Sequence, residues 1–372
     1  MRVAVLIIIA VIVVARAPRR AEAYPEWQFS TGATRCSECH FSPAGGGLIN
    51  DYGRDEAGST IAGGGDGRFL HGAVELPGWM ALGGDVRLAG MAKQVRGGNE
   101  GAVFPMQGDL YARFGTGGWS VQGTVGVLAA VREPRPISDR IGSREHYVMY
   151  QPGSRAWYVR AGRMFPVFGL RVPDHTAYVR RYTGQHTLEE SYAIGAGIAR
   201  TAWDVHVTAL TPLTAPPRVG RHGPGGAVSI ERYIRDDTGS VGAQIMARQL
   251  ATGVEGWAGA TFKNWLESTN LMIAAELDYG WETIDGGSTV HRLAGYAALH
   301  IRPAASLGGA IAAHIYDADL QLGDNERVAL EARMASFPYA HFEIAPLLRV
   351  EGVRGELHRG TVLGLLQLHY FL

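Results

Sequence analysis

The chain has 372 residues, with 35 Lys plus Arg against 35 Asp plus Glu, 51 glycines and two cysteines. Removing residues 1–23, read below as an export signal, takes away four arginines and Glu22. That leaves 31 basic against 34 acidic residues, a net of −3, which gives no support to nucleic-acid binding. Glycine is well above its usual share without a G-x-y period, which excludes collagen and points to tight turns and barrel interiors.

In chain order, Arg2 is followed by an apolar run from Val3 to Val14. It is too short to span a bilayer and has the length of a signal-peptide core, and Ala21-Glu22-Ala23 is an A-x-A cleavage site. The pair Arg19-Arg20 follows the apolar run, so this is not a twin-arginine signal. Residues 1–23 are expected to be removed on export, and 24–80 to form the next unit.

That unit holds Cys36-Ser37-Glu38-Cys39-His40, the C-x-x-C-H pattern of a covalently attached c-type haem. Two thiols spaced this way add to the two vinyl groups, and the adjacent imidazole falls over the iron as proximal ligand. A thioredoxin-like C-x-x-C would sit within a βαβ unit, whereas glycines surround this one. A zinc site usually takes two such pairs, and a disulfide across two residues closes almost no loop. The stretch after the motif, with Gly45-Gly46-Gly47, is too glycine-rich for long helices and too poor in apolar residues to bury a haem alone. The haem segment is therefore expected to dock against, or inside, the remainder. A small haem domain on a glycine linker is the alternative.

From Gly83 onward the pattern has period two. Val86 and Leu88 alternate with Asp85 and Arg87, and Leu110, Ala112 and Phe114 with Asp109, Tyr111 and Arg113. Further runs are 121–131, 145–151, 156–165, 191–200, 202–211, 240–249, 253–267, 270–283, 290–301, 305–317, 327–336, 340–351 and 361–372, with 227–235 the weakest. Lengths of 10–12 residues suit tilted transmembrane strands, and closure wants an even number. The expected fold class is all-β: a transmembrane antiparallel β-barrel over 83–372 with about 16 strands, alternatively 14, behind a short N-terminal c-type haem segment. Trp119, Trp157, Trp203, Trp257 and Trp281 are expected in interfacial girdles. The alternating end, Val362 to Leu372, is like a barrel-assembly signal. A soluble sandwich or propeller is the competing reading.

With these residues in view, the chain resembles the fused cytochrome–porins of bacterial outer membranes, of which the iron-oxidising outer-membrane cytochromes are the best known. The likeness rests on the signal sequence, the approach through Pro25, Phe29, Thr31 and Gly32 to C-x-x-C-H, Pro43 and Gly53-Arg54 after it, and a barrel to the end. The sequence departs after Arg54, where Asp55-Glu56-Ala57 and glycines follow; this bears on the iron substrate more than on the architecture. Gly162-Arg163-Met164-Phe165-Pro166-Val167-Phe168-Gly169 also looks like a segment of several porins. The resemblance implies one covalent haem c and a place in the outer membrane among its lipids. It also implies electron transfer between an extracellular donor or acceptor and a periplasmic c-type cytochrome or other carrier. Oxidation of an extracellular donor such as ferrous iron is the enzymatic form of that reading. A solute channel with a haem-bearing plug or redox gate is the alternative.

The motif leaves the distal ligand open. His71 and Met80 are nearest in sequence, and Met91 and Met164 lie on expected strands. His175, in Pro173-Asp174-His175-Thr176, is the first candidate because 166–190 is the longest non-alternating connection and is expected to fold inward. An open iron is the remaining option. Arg171, Arg180 and Arg181 flank His175 and are candidates for the haem propionates, with lining of a polar lumen as their ordinary role.

Overall fold

The computed structural model describes residues 27–95, 97–127, 141–174, 176–186, 189–213, 223–234, 237–284 and 286–372. The expected export signal lies outside them. Sixteen strands follow one another around one closed sheet. They are β1 (Met80–Val95), β2 (Gly98–Thr116), β3 (Trp119–Val127), β4 (Ile141–Tyr150), β5 (Trp157–Met164), β6 (Ser191–Arg200), β7 (Trp203–Leu210) and β8 (Gly225–Ile234). The circuit continues through β9 (Gly239–Leu250), β10 (Gly253–Leu266), β11 (Leu271–Ile284), β12 (Thr289–Ala304), β13 (Leu307–Asp317), β14 (Arg327–Tyr339), β15 (Phe342–Val353) and β16 (Thr361–Phe371). Every pairing is antiparallel, and β16 closes on β1 in a register from Asp85 opposite Phe371 to Gln94 opposite Val362. The weak stretch 227–235 is β8, and the first strand begins at Met80, three residues before Gly83.

The alternation runs the opposite way to that of a water-facing sheet. On β3, Ser120, Gln122 and Thr124 are buried while Trp119, Val121, Val125 and Val127 face out. Leu110 and Ile311 stand 73% and 68% exposed, so the outer wall is aliphatic and the lumen polar. Trp119, Trp157 and Trp203 begin β3, β5 and β7 at one rim and are exposed there, with Trp79 just before β1. Rings gather along this rim: Trp119 lies 4.9 Å from Tyr150, and Trp79 stacks on Phe114 at 6.2 Å. Trp257 departs from the expected girdle. It shares the inner face of β10 with Glu255, two residues away, and is 1% exposed.

The rim that carries Met80 and Phe371, here the terminal rim, has short connections such as 117–118, 201–202 and 305–306. The far rim carries the long ones, among them 165–190 and 318–326. Two segments fill the lumen between them. Residues 27–78 enter at the terminal rim as a plug. Trp27, Ala57 and Ile61 pack on Phe337 of β14, and Phe29 packs with Tyr233, Trp265 and Met272. Arg35 meets both carboxylate oxygens of Asp204 on β7 at 2.9 Å, and Lys263 of β10 donates to Gln28 at 2.8 Å. The backbone of 61–64 bonds to the rim turns: Ser306 donates to Ile61, Gly63 to Phe337 and Ala340 to Gly64. The plug is therefore built into the barrel and is not a separate domain on a linker.

The second segment is the connection 165–190, which folds inward from the far rim. Phe168, Leu170, Val172, Ala177 and Val179 are buried against Tyr147, Tyr158 and Trp257. Across the lumen, the Leu170 amide donates to Glu276 of β11 at 2.7 Å, Asp174 pairs with Arg349 of β15, and Tyr182 stacks on Tyr316 of β13 at 3.6 Å.

Candidate haem-attachment site

Local sequence explains why the motif takes its shape. Cys36–Cys39 form α1, a single turn. The Glu38 carboxylate accepts from the backbone amides of Thr34 at 2.5 Å and Arg35 at 3.1 Å, satisfying donors at the start of that turn. His40 leaves it in extended conformation and bridges to Ile49. The chain between doubles back through Gly45, Gly46 and Gly47, all with φ between +62° and +72°, a region that side-chain-bearing residues avoid. A Cβ on Gly45 would also stand 3.3 Å from the Cys36 sulfur.

Asn50 ties the motif to α2 (Asp51–Glu56). Its side chain donates to the Glu38 carbonyl at 2.8 Å and accepts from the Gly53 amide at 3.0 Å. Gly53 lies so close that a Cβ there would be 2.4 Å from the Cys39 carbonyl oxygen. Gly53→Ala is therefore expected to cost on the order of 1–3 kcal/mol by overpacking. The measurement is limited proteolysis, which should cut 27–78 faster while leaving the barrel intact.

Cys36 and Cys39 are not joined by a disulfide. Burial pushes the Cys36 thiol up, so it stays protonated near neutral pH. Together with His40 they line a cavity between the plug, the inner wall of β1–β4 and the inward loop. Five arginines line it, Arg35, Arg87, Arg144, Arg171 and Arg180, alongside Asp85, Asp109, Glu145 and Glu190. Arg144 pairs with Asp109 at 2.5 Å and Arg171 with Glu145 at 3.3 Å. Arg171 also lies over the Phe165 ring at 4.5 Å, and its Nη1 is buried with no hydrogen-bond partner among the described residues. Arg180 is buried and donates to the carbonyls of Val172 at 2.8 Å and Gln185 at 3.2 Å. Burial, with Arg171 beside it, pulls its pKa down to about 9, so an incoming carboxylate would relieve both.

The expected site residues therefore divide. Cys36, Cys39, His40 and Arg171 come together in one cavity, and Arg180 joins them. His71 does not: it lies at the terminal rim, 4.8 Å from the His341 ring and 5.4 Å from Tyr339. It is near the motif in sequence, but 66–80 runs along the rim. Met80 opens β1 at the same rim, Met91 lies further along that strand, and Met164 is fully buried at the end of β5. Arg181 packs over Tyr182, 5.6 Å from its ring centroid. His175 lies outside the described residues. Its neighbour Pro173 lines the cavity, and Asp174 and Thr176 both bond Arg349. The wall residues Asp85, Arg87, Tyr111 and Arg144 were not singled out as site residues. Their signal was the inward phase of the alternation.

No family model matches this chain, and no curated protein matches it. Solved structures do match in fold. A loop-deletion mutant of OmpT, an outer membrane protein of Vibrio cholerae, superposes with a TM-score of 0.61 at 8% identity over 79% of this chain and all of that one. An anion-selective porin from Comamonas acidovorans gives 0.61 at 10% identity, covering 79% of this chain and 99% of its own. The outer membrane channel DcaP of Acinetobacter baumannii gives 0.58 at 12%, covering 79% and 97%. The likeness is one of fold.

Proposed function

We propose that this protein is a porin-like barrel of the bacterial outer membrane carrying one covalent c-type haem in its lumen, and that it passes electrons between the two sides. The aliphatic outer wall and the ring-lined rim support placement in lipid, as does the likeness to outer membrane channels. The short turns at the rim where β1 begins and β16 ends support a periplasmic place for that rim, with the long connections facing outward.

One observation carries the haem reading. Cys36, Cys39 and His40 of C-x-x-C-H line one cavity together with Arg171, which has an orphaned buried nitrogen, and Arg180, whose guanidinium is depressed. Cys36 and Cys39 would hold the group through thioethers, and His40 would be the proximal ligand. Arg171 and Arg180 would take the propionates, whose carboxylates their forks match. A haem there supplies one-electron chemistry. The chain would orient it and set its electrostatic surroundings between plug and loop. A periplasmic c-type cytochrome or similar carrier would serve one rim, and an extracellular redox partner the other.

A second reading, a solute channel with a haem-bearing plug, is favoured by the likeness to an anion-selective porin and a channel. Both readings share one test. Detergent-extracted membranes are run on a denaturing gel, heated and unheated, and stained for haem. The expected result is a band whose migration changes on heating and which keeps its haem when unfolded. A band without haem overturns the haem assignment in both.

A further inference from the structure

Four side chains on adjacent strands form an unbroken hydrogen-bonded row on the inner wall. Tyr111 of β2 donates its hydroxyl to one oxygen of the Asp85 carboxylate on β1. The other oxygen of Asp85 lies 2.7 Å from Nε2 of His369 on β16, and Nδ1 of the same ring lies 2.8 Å from Glu343 on β15. Tyr111 and Asp85 line the cavity before Cys36, Cys39 and His40. His369 and Glu343 are buried behind them, and Glu343 is the second residue of its strand, at the terminal rim.

An imidazole facing a carboxylate at each nitrogen donates to both only when it carries two protons. With His369 charged between two carboxylates, the three groups sum to −1; after loss of one proton they sum to −2, and one carboxylate faces a lone pair. The surrounding charges are fixed by other elements. Arg87 on β1 acts on both Asp85 and Glu343, and Arg333 on β14 acts on Glu343. On the other side, Asp109 is held by Gln107 and by Arg144 of β4.

We propose that Tyr111, Asp85, His369 and Glu343 form a proton relay coupled to the redox state of the cavity. This rests on the haem reading above. When one electron leaves the cavity to a one-electron oxidant, the positive charge added there is offset by release of the His369 proton through Glu343 to water at the terminal rim. When the electron returns, the proton returns to the ring. Asp85 is the coupling residue, since it faces the cavity and bonds His369 directly.

The test is a potentiometric titration of the detergent-solubilised holoprotein between about pH 5 and 9. One proton per electron is a tenfold change per pH unit, so the potential should fall by about 59 mV per unit over part of that range. His369→Gln should flatten this slope while keeping covalent haem and heat-modifiable migration. Glu343→Gln, which keeps the side-chain shape, should reduce the slope and decides the matter if the first variant does not fold. A purely structural role for His369 would leave the slope unchanged. A haem-containing wild type with a flat profile, or variants that keep its slope, overturns the relay alone. A chain with no covalent haem overturns the relay together with the reading it rests on, and the missing Soret band tells the two failures apart.

Discussion

Replacing Cys36 and Cys39 together by alanine is expected to remove all haem from the denatured chain, while the barrel assembles as before. The effect is all-or-none because each thioether is one of two covalent links and no other cysteine exists in the sequence. Either single change leaves one link, so a weaker haem-stained band should persist. The fold should tolerate the change. What shapes α1 is the Glu38 cap, the Asn50 bridge and the glycine turn, none of which uses a thiol. Losing one buried sulfur at Cys39 costs on the order of 1 kcal/mol, small beside the rest of the plug's packing. His40→Ala separates attachment from ligation: the covalent band should remain while the proximal nitrogen is gone. Haem staining after denaturation, beside the heat shift of the same band, reads all three variants. Haem retained by the double variant would mean that Cys36 and Cys39 are not its anchors.

Much of the barrel was legible because a strand with one polar and one aliphatic face must alternate at period two. The run 191–200 coincides with β6, and 253–267 ends one residue beyond β10. The start of β2 at Gly98 was hidden, since Gly98 to Gly101 carries no aliphatic residue to mark the outer face. Trp257 misled because its residue type suggests an interface, whereas its phase relative to Glu255 puts it inside. The inward fold of 165–190 was legible from its length and its lack of alternation, and its anchors on Glu276 and Arg349 were not. The C-x-x-C-H pattern was plain, since it is read from local spacing alone. The remainder of the site was not, because it is assembled by register. Asp85 and His369 are 284 positions apart and meet only because β16 closes on β1. The same non-locality separates His71 from the cavity, despite its nearness in sequence to His40.

Deleting residues 27–78 is expected to turn an ion-tight barrel into an open channel. The sixteen strands close through β1 and β16 without help from the plug, so the sheet retains every inter-strand ladder. What is lost lies inside: the packing of Trp27, Ile61 and Phe29, the Arg35 pair with Asp204 and the bond from Lys263 to Gln28. The groups thereby uncovered on the inner wall include Asp204, Glu231 and Lys263, which water solvates readily, and Lys263 and Glu231 remain paired at 2.6 Å. A sixteen-stranded barrel is wide enough for an aqueous channel, and only the inward loop then narrows it. Single-channel recording in planar bilayers should therefore show steps of porin size for the shortened chain and none for the full holoprotein. The same recording decides between the two functional readings. Full-length protein that conducts with its haem in place favours the solute channel, because the plug then leaves a solute path around itself. Full-length protein that stays closed at every tested voltage leaves the lumen to electrons.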